Sequence, residues 1–153
     1  MTIASTQNGT ATTANARVVR DFLEALADDD TERALELLTE DAVWINVSLP
    51  AVRGRRRIER LLRIGSDRLG ARFRVHFHNI AATGATVLTE RTDAIGIGKL
   101  EQRFWVYGRF ELRDGRIAVW RDSFDWLDYS VSVVRGVAGA IAPRLNRSWP
   151  RWG

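Results

Sequence analysis

Residues 101–125 read EQRFWVYGRFELRDGRIAVWRDSFD, and this stretch decides the fold. Its apolar residues recur every second position, the repeat of a β-strand with one buried face. Phe104, Val106, Phe110 and Leu112 share one face, while Trp105, Tyr107 and Arg109 share the other. Asp114-Gly115 interrupts the alternation, and Asp-Gly between two alternating runs signals a tight hairpin. The pattern predicts strands over about 101–113 and 116–125. The first set of residues is the candidate core face.

The same period extends upstream over about 85–97 and 72–82, with Gly98-Lys99 and Thr83-Gly84 as the turns. Four strands joined by short turns form an antiparallel meander. Before Gly70 the period is helical. Val18, Val19, Phe22, Leu23 and Leu26 predict a helix from residue 14. Asp28-Asp29-Asp30 closes it and offers a carboxylate to cap a second helix from about Thr31, carried by Ala34, Leu35, Leu37 and Leu38. A short strand is expected over 42–47, stopped at Leu49-Pro50. After Gly54 a third helix is expected over 55–68, with Ile58, Leu61, Leu62 and Ile64 as its apolar stripe and Arg55-Arg56-Arg57 on a solvated face. A last helix is expected over 129–142, before Pro143.

Helices followed by a long sheet define an α+β class. The expected architecture is a curved antiparallel or mixed sheet wrapped around the N-terminal helices, a cone enclosing a deep apolar pocket. One domain is expected over 14–143, preceded by a flexible segment at 1–13 and followed by a basic aromatic tail at 144–153.

Composition narrows the functional classes. The chain has 153 residues, 45% hydrophobic and 27% charged, too apolar for a disordered chain. It contains no cysteine, which excludes disulfides, thiolate chemistry and sulfur-ligated zinc. His76 and His78 share a strand face, but no third ligand accompanies them, and no metal or cofactor is expected. The net charge is +4, with the basic residues interleaved with acids along the chain, so nucleic acid is not an expected partner. The first residues lack the basic start and apolar stretch of a signal peptide, and no run is long enough to span a bilayer. A cytoplasmic location is expected. Gly96-Ile97-Gly98-Lys99 lacks the spacing of a phosphate loop and reads as a strand turn.

Alternation also brings charges together. Val87, Thr89, Arg91, Asp93 and Ile95 share one face of their strand, and Ala118, Trp120, Asp122, Phe124 and Trp126 share one face of the last. Burying a charge costs several kcal/mol unless it is paired, and Arg91 between Asp93 and Asp122 supplies the pairing. Such a cluster can serve only to fix strand register. It is also suited to acid–base chemistry, because two carboxylates sharing a site tend to hold one proton between them.

At these residues the sequence resembles the limonene epoxide hydrolase family, a branch of the cone-shaped fold shared with nuclear transport factor two and ketosteroid isomerase. Leu88-Thr89-Glu90-Arg91-Thr92-Asp93 resembles the family strand bearing an Arg and an Asp two residues apart. Trp120-Arg121-Asp122-Ser123-Phe124-Asp125 resembles the last strand with its second Asp, and Trp44-Ile45-Asn46 with Leu49-Pro50 and Gly54 resembles the segment supplying a Tyr and an Asn. The likeness extends to the branch acting on bulky, sterol-like epoxides. It implies a cofactor-independent epoxide hydrolase that adds water to a lipophilic, terpene- or sterol-like epoxide in one acid–base step, giving a vicinal diol. It implies Asp122 as general base, Asp93 as general acid, Arg91 as the bridge and Asn46 as a holder of the water. Trp44, Trp120 and Phe124 would line the substrate or water site. Trp44 stands where the family has Tyr; an indole N–H only donates, so it serves as a water donor or is simply a core aromatic. Family members are usually homodimers, so a homodimer is expected. Isomerase or cyclase chemistry, suggested by Tyr107, and a non-catalytic binding module on the same fold are the alternatives.

Overall fold

The computed structural model describes residues 3–142, with side chains from Thr12 onward. The tail expected at 144–153 lies outside these residues. Helix α1 (Ile3–Ala27) and short helix α2 (Thr31–Glu36) lead into strands β1 (Leu38–Asn46) and β2 (Val52–Arg53). Helix α3 (Arg55–Arg63) runs into a π-helical turn, Ile64–Arg68. Strands β3 (Ala71–Thr83), β4 (Thr86–Ile97), β5 (Leu100–Arg113) and β6 (Arg116–Ser123) follow, and helix α4 (Trp126–Ile141) closes the described chain.

The strands form one curved sheet in the order β2-β1-β6-β5-β4-β3. The β3–β6 meander is antiparallel throughout, as its two-residue turns require. Asp114 and Gly115, at φ 52° and 73°, both adopt the left-handed backbone that makes a two-residue hairpin match the twist of its strands. Strand β1 adds to β6 in parallel, so the sheet is mixed.

Several boundaries differ from those the sequence predicts. Helix α1 begins at Ile3, well before the apolar spacing that marks it from residue 14. Helix α2 ends at Glu36, and Leu38 lies instead in β1, opposite Ile117. Ile117 N–H donates to Leu37 O at 2.8 Å, so pairing with β6 takes this segment out of the helix although its spacing suits one. Asp30 does cap α2, accepting from Arg33 N–H at 3.1 Å. Strand β6 stops at Ser123 because Asp125 accepts the N–H groups of Leu127 and Asp128, starting α4 at Trp126. Trp126 is therefore a helical residue and not part of the β6 alternation. The two-residue β2 carries too little pattern to be predicted.

The core lies between α1 and the concave face of the sheet. Val19, Phe22 and Leu23 from α1 pack with Phe110, Ile117 and Trp120. Phe22 meets the Trp120 ring edge-on at 5.0 Å. Full burial of a side chain such as Phe22 or Leu23 is worth about 1.5–3 kcal/mol. Trp44 and Trp120 border this core and also the cavity beside it.

Candidate active site

The cavity has a volume of about 370 Å³, within the range of small-molecule sites. Its wall includes Phe73, Ile95, Phe104 and Val106 from the meander, and Leu61 and Leu62 from α3. Asp93, Asp122 and Asn46 are among its polar lining groups.

Register places the acids. Asp93 lies opposite Phe104 on β5, and Asp122 lies opposite Gly108 on the same strand. Strand β5 therefore separates the strands that carry the two carboxylates. Arg91 bridges them: Nε donates to Asp93 Oδ1 at 2.9 Å, and Nη2 donates to Asp122 Oδ1 at 2.6 Å. Nη1 donates to Thr89 Oγ1 at 2.9 Å. Arg91 is fully buried, and only 5% of Asp93 and 6% of Asp122 is exposed.

To reach Asp122 from β4, the guanidinium must pass over β5, and it does so at Gly108. A Cβ there would collide with Arg91 Nη1 and Thr89 Oγ1 and lie 2.8 Å from Phe110 Cε2. Thr89 and Gly108 thus complete the setting of Arg91. Sequence reading places Thr89 on the right face without a role and passes over Gly108. A glycine inside an apolar strand is the signal that could have found it, because it marks a close approach.

Burial and its partners set the charges of this cluster. Asp93 is pushed up to about 6, first by desolvation and further by the neighbouring Asp122, with Arg91 opposing. Burial works against the charge on Arg91, but the two carboxylates outweigh it and hold its pKa above the ordinary value. Asp93 Oδ1 accepts from Arg91. Its Oδ2 is therefore the oxygen left to carry a proton.

The remaining predicted residues gather around this cluster. Asn46 pairs with Asp122 across the β1–β6 ladder and lines the cavity. Trp120 lines the cavity as expected and has a second contact that the sequence does not suggest: Nε1–H donates to Asp122 Oδ2 at 2.8 Å. Trp44 stacks on Trp120, with ring centroids 4.5 Å apart and planes 11° apart. The Trp44 indole nitrogen is enclosed and has no hydrogen-bond partner among the described residues. Phe124 lines the cavity and packs edge-on against Phe104 at 5.5 Å. Trp126 and Tyr129 from α4 also line it, and Tyr129 is a lining residue that strand alternation could not indicate.

Other candidates lie elsewhere. His76 and His78 meet edge-on at 5.0 Å, and His78 Nε2 lies 2.8 Å from Thr92 Oγ1. Among the described residues no three His, Cys, Asp or Glu side chains are grouped to hold a metal ion. Tyr107 is exposed and does not line the cavity. No described helix is long and apolar enough to cross a membrane.

A curved sheet folded around helices is the architecture of the NTF2-like class of α+β proteins. An NTF2-like protein of unknown function from Burkholderia pseudomallei shares this fold, with a TM-score of 0.68 and 15% identity over 78% of this chain and 97% of that one. Within the class, the chain belongs to the limonene-1,2-epoxide hydrolase family, whose catalytic domain matches residues 13–135. It is 46% identical to epoxide hydrolase EphG of Mycobacterium tuberculosis over 128 residues, 84% of this chain and 85% of that protein. A solved LEH-like epoxide hydrolase from M. tuberculosis superimposes with a TM-score of 0.84 and 43% identity, covering 90% of this chain and 97% of that one.

Proposed function

We propose that this protein is a cofactor-independent epoxide hydrolase that opens lipophilic epoxides to vicinal diols in a single acid–base step. The observation that carries the proposal is the buried Asp93–Arg91–Asp122 bridge in the wall of an apolar cavity. Asp122 takes a proton from a water held between it and the Asn46 side chain. The water oxygen attacks one epoxide carbon, that carbon–oxygen bond breaks, and the proton on Asp93 Oδ2 passes to the departing oxygen. The product is the diol, with Asp122 protonated and Asp93 ionised; a proton returned from one to the other through water in the cavity resets the site. Each proton transfer lowers the barrier by about 10²–10⁴-fold.

The apolar lining supports terpene- or sterol-like epoxides as the substrate class. A homodimer and a cytoplasmic location belong to the same proposal and rest on the family resemblance.

Asp122→Asn and Asp93→Asn keep the side-chain shape and remove the base and the acid. Each is expected to abolish diol formation from a panel of terpene, styrene and sterol epoxides while the folded circular dichroism spectrum is retained. Full activity in either variant rejects the assigned roles. A single turnover in ¹⁸O-water is expected to put the label in the diol; label in a carboxylate would establish an ester intermediate instead.

A further inference from the structure

The mouth of the cavity combines features that its chemistry does not require. Leu49, Leu61 and Trp126 line the cavity, yet they are 50%, 44% and 41% exposed. Their apolar surface therefore forms a lip open to solvent. Leu61 belongs to α3, whose inner side is anchored by fully buried Ile58. Helical spacing puts Arg56, Arg60 and Arg63 on the outer side, flanked by Arg57 and Ile64. Arg56, Arg60, Arg63 and Arg68 line a second, shallow hollow along this outer side, together with Glu59, Ile64 and Asp67. Between Arg53 and Arg72, eight arginines accompany two acids, Glu59 and Asp67, a net +6 in a chain whose total is +4. Arg63 is paired with Glu32 and Glu59, whereas Arg56, Arg57, Arg60 and Arg68 are exposed and have no acidic partner among the described residues.

We infer that the α3 face and the cavity lip dock on an anionic lipid bilayer, from which the substrate enters. A helix with unpaired arginines beside exposed Leu and Ile side chains matches the headgroup–acyl boundary, where cations meet lipid phosphate and apolar side chains enter the acyl region. A lipophilic epoxide concentrates in bilayers, so a mouth held at their surface receives it without a passage through water. The membrane attachment stands on α3 and the lip; the substrate route rests on the function proposed above.

The test is flotation of the full chain with phosphatidylcholine vesicles, with and without 30% phosphatidylglycerol. Binding is expected only to the anionic vesicles, and it is expected to fall steeply between 50 and 500 mM salt. Two reversals in Arg57→Glu/Arg60→Glu are expected to weaken binding about thirtyfold or more. Ile64→Ser tests the apolar part and is expected to weaken binding at high salt, where the charge contribution is screened. The double reversal is expected to leave hydrolysis of a water-soluble epoxide unchanged and to slow hydrolysis of a vesicle-borne one. Equal binding to neutral vesicles, no binding to either, or binding to duplex DNA or RNA in place of anionic vesicles would overturn the inference. An inactive protein that still floats with anionic vesicles would reject the hydrolase reading while retaining the docking surface.

Discussion

Gly108 is the position at which a single added carbon tests the geometry of the site. Alanine there puts a Cβ against Arg91 Nη1, Thr89 Oγ1 and Phe110 Cε2 at once. Ordinary contact begins near 3.4 Å, so the guanidinium must withdraw by about 1 Å. It has no free direction, because it is fully buried and donates to Asp93, Asp122 and Thr89. Loss of one arm of a buried ion pair costs about 3–5 kcal/mol, and the replacement of glycine by alanine in the unfolded chain returns less than about 1 kcal/mol. A net loss of about 3 kcal/mol lowers the melting temperature of a domain of this size by about 6–12 °C.

Activity is expected to suffer more directly, since displacement of catalytic groups by about 1 Å costs about 10²-fold. The assay is kcat/KM for epoxide hydrolysis beside thermal unfolding of the same preparation. Gly96→Ala is the matched control on the same sheet. Its Cβ would meet Leu100 O at 3.7 Å and Arg72 O at 3.9 Å, both ordinary contacts. That variant is expected to keep its activity and its melting temperature. If Gly108→Ala instead behaves like Gly96→Ala, the passage of Arg91 over β5 does not constrain the site, and the bridge is not the organising element.

Trp120→Phe keeps the aromatic packing and removes the N–H that Asp122 Oδ2 accepts. A hydrogen bond to a charged group is worth about 1.5–3 kcal/mol, so kcat/KM is expected to fall about ten- to a hundredfold; an unchanged value removes Trp120 from the setting of Asp122. Trp44→Phe deletes an enclosed donor with no partner among the described residues, so its stability in urea is expected to match or exceed that of the parent. A clear loss would reveal a partner for that nitrogen. Asp93 is pushed from 3.8 up to about 6, so the native state holds a proton that the unfolded chain releases across that interval. Its contribution to stability is fully present below about pH 3.8 and is lost as the pH rises through about 6, a decline of about 3 kcal/mol. Asp93→Asn is expected to flatten that decline in denaturant titrations, and parental kcat/KM is expected to fall above about pH 6; a parent and variant with the same slope reject the assignment.

Period-two alternation and Asp-Gly turns are backbone-level signals, so the meander and the faces of Arg91, Asp93, Asp122 and Trp120 were legible in the sequence. The parallel addition of β1 to β6 was not, because no local pattern in Leu38–Asn46 states which strand it joins. The end of α2 differs from its sequence pattern for a related reason. Ala34, Leu35, Leu37 and Leu38 satisfy a helical spacing, and only the distant Ile117 shows why Leu38 is extended. Trp126 leaves the strand pattern because the cap supplied by Asp125 outweighs a continuing alternation. Gly108 and the Trp120–Asp122 contact depend on how three strands stand side by side. Alternation gives a residue's face but not its position along the neighbouring strand.

The same geometry bears on which acid holds the proton. With both carboxylates ionised, the buried cluster around Arg91 carries a net negative charge inside an apolar wall; with one proton it is neutral. Desolvation therefore favours a single shared proton, and the hydrogen bonds decide its position. Asp122 accepts on both oxygens, from Arg91 Nη2 and from Trp120 Nε1, whereas Asp93 accepts only one of these bonds, on Oδ1. Neither of the two donors to Asp122 can give up its proton at ordinary pH, so protonating Asp122 would weaken two charge-assisted bonds, and protonating Asp93 on Oδ2 weakens at most one. On the proposed mechanism this asymmetry separates acid from base before substrate arrives. The indole of Trp120 then does for Asp122 what the open side of Asp93 leaves undone, and it joins the assignment of roles to the fold at the β5–β6 register.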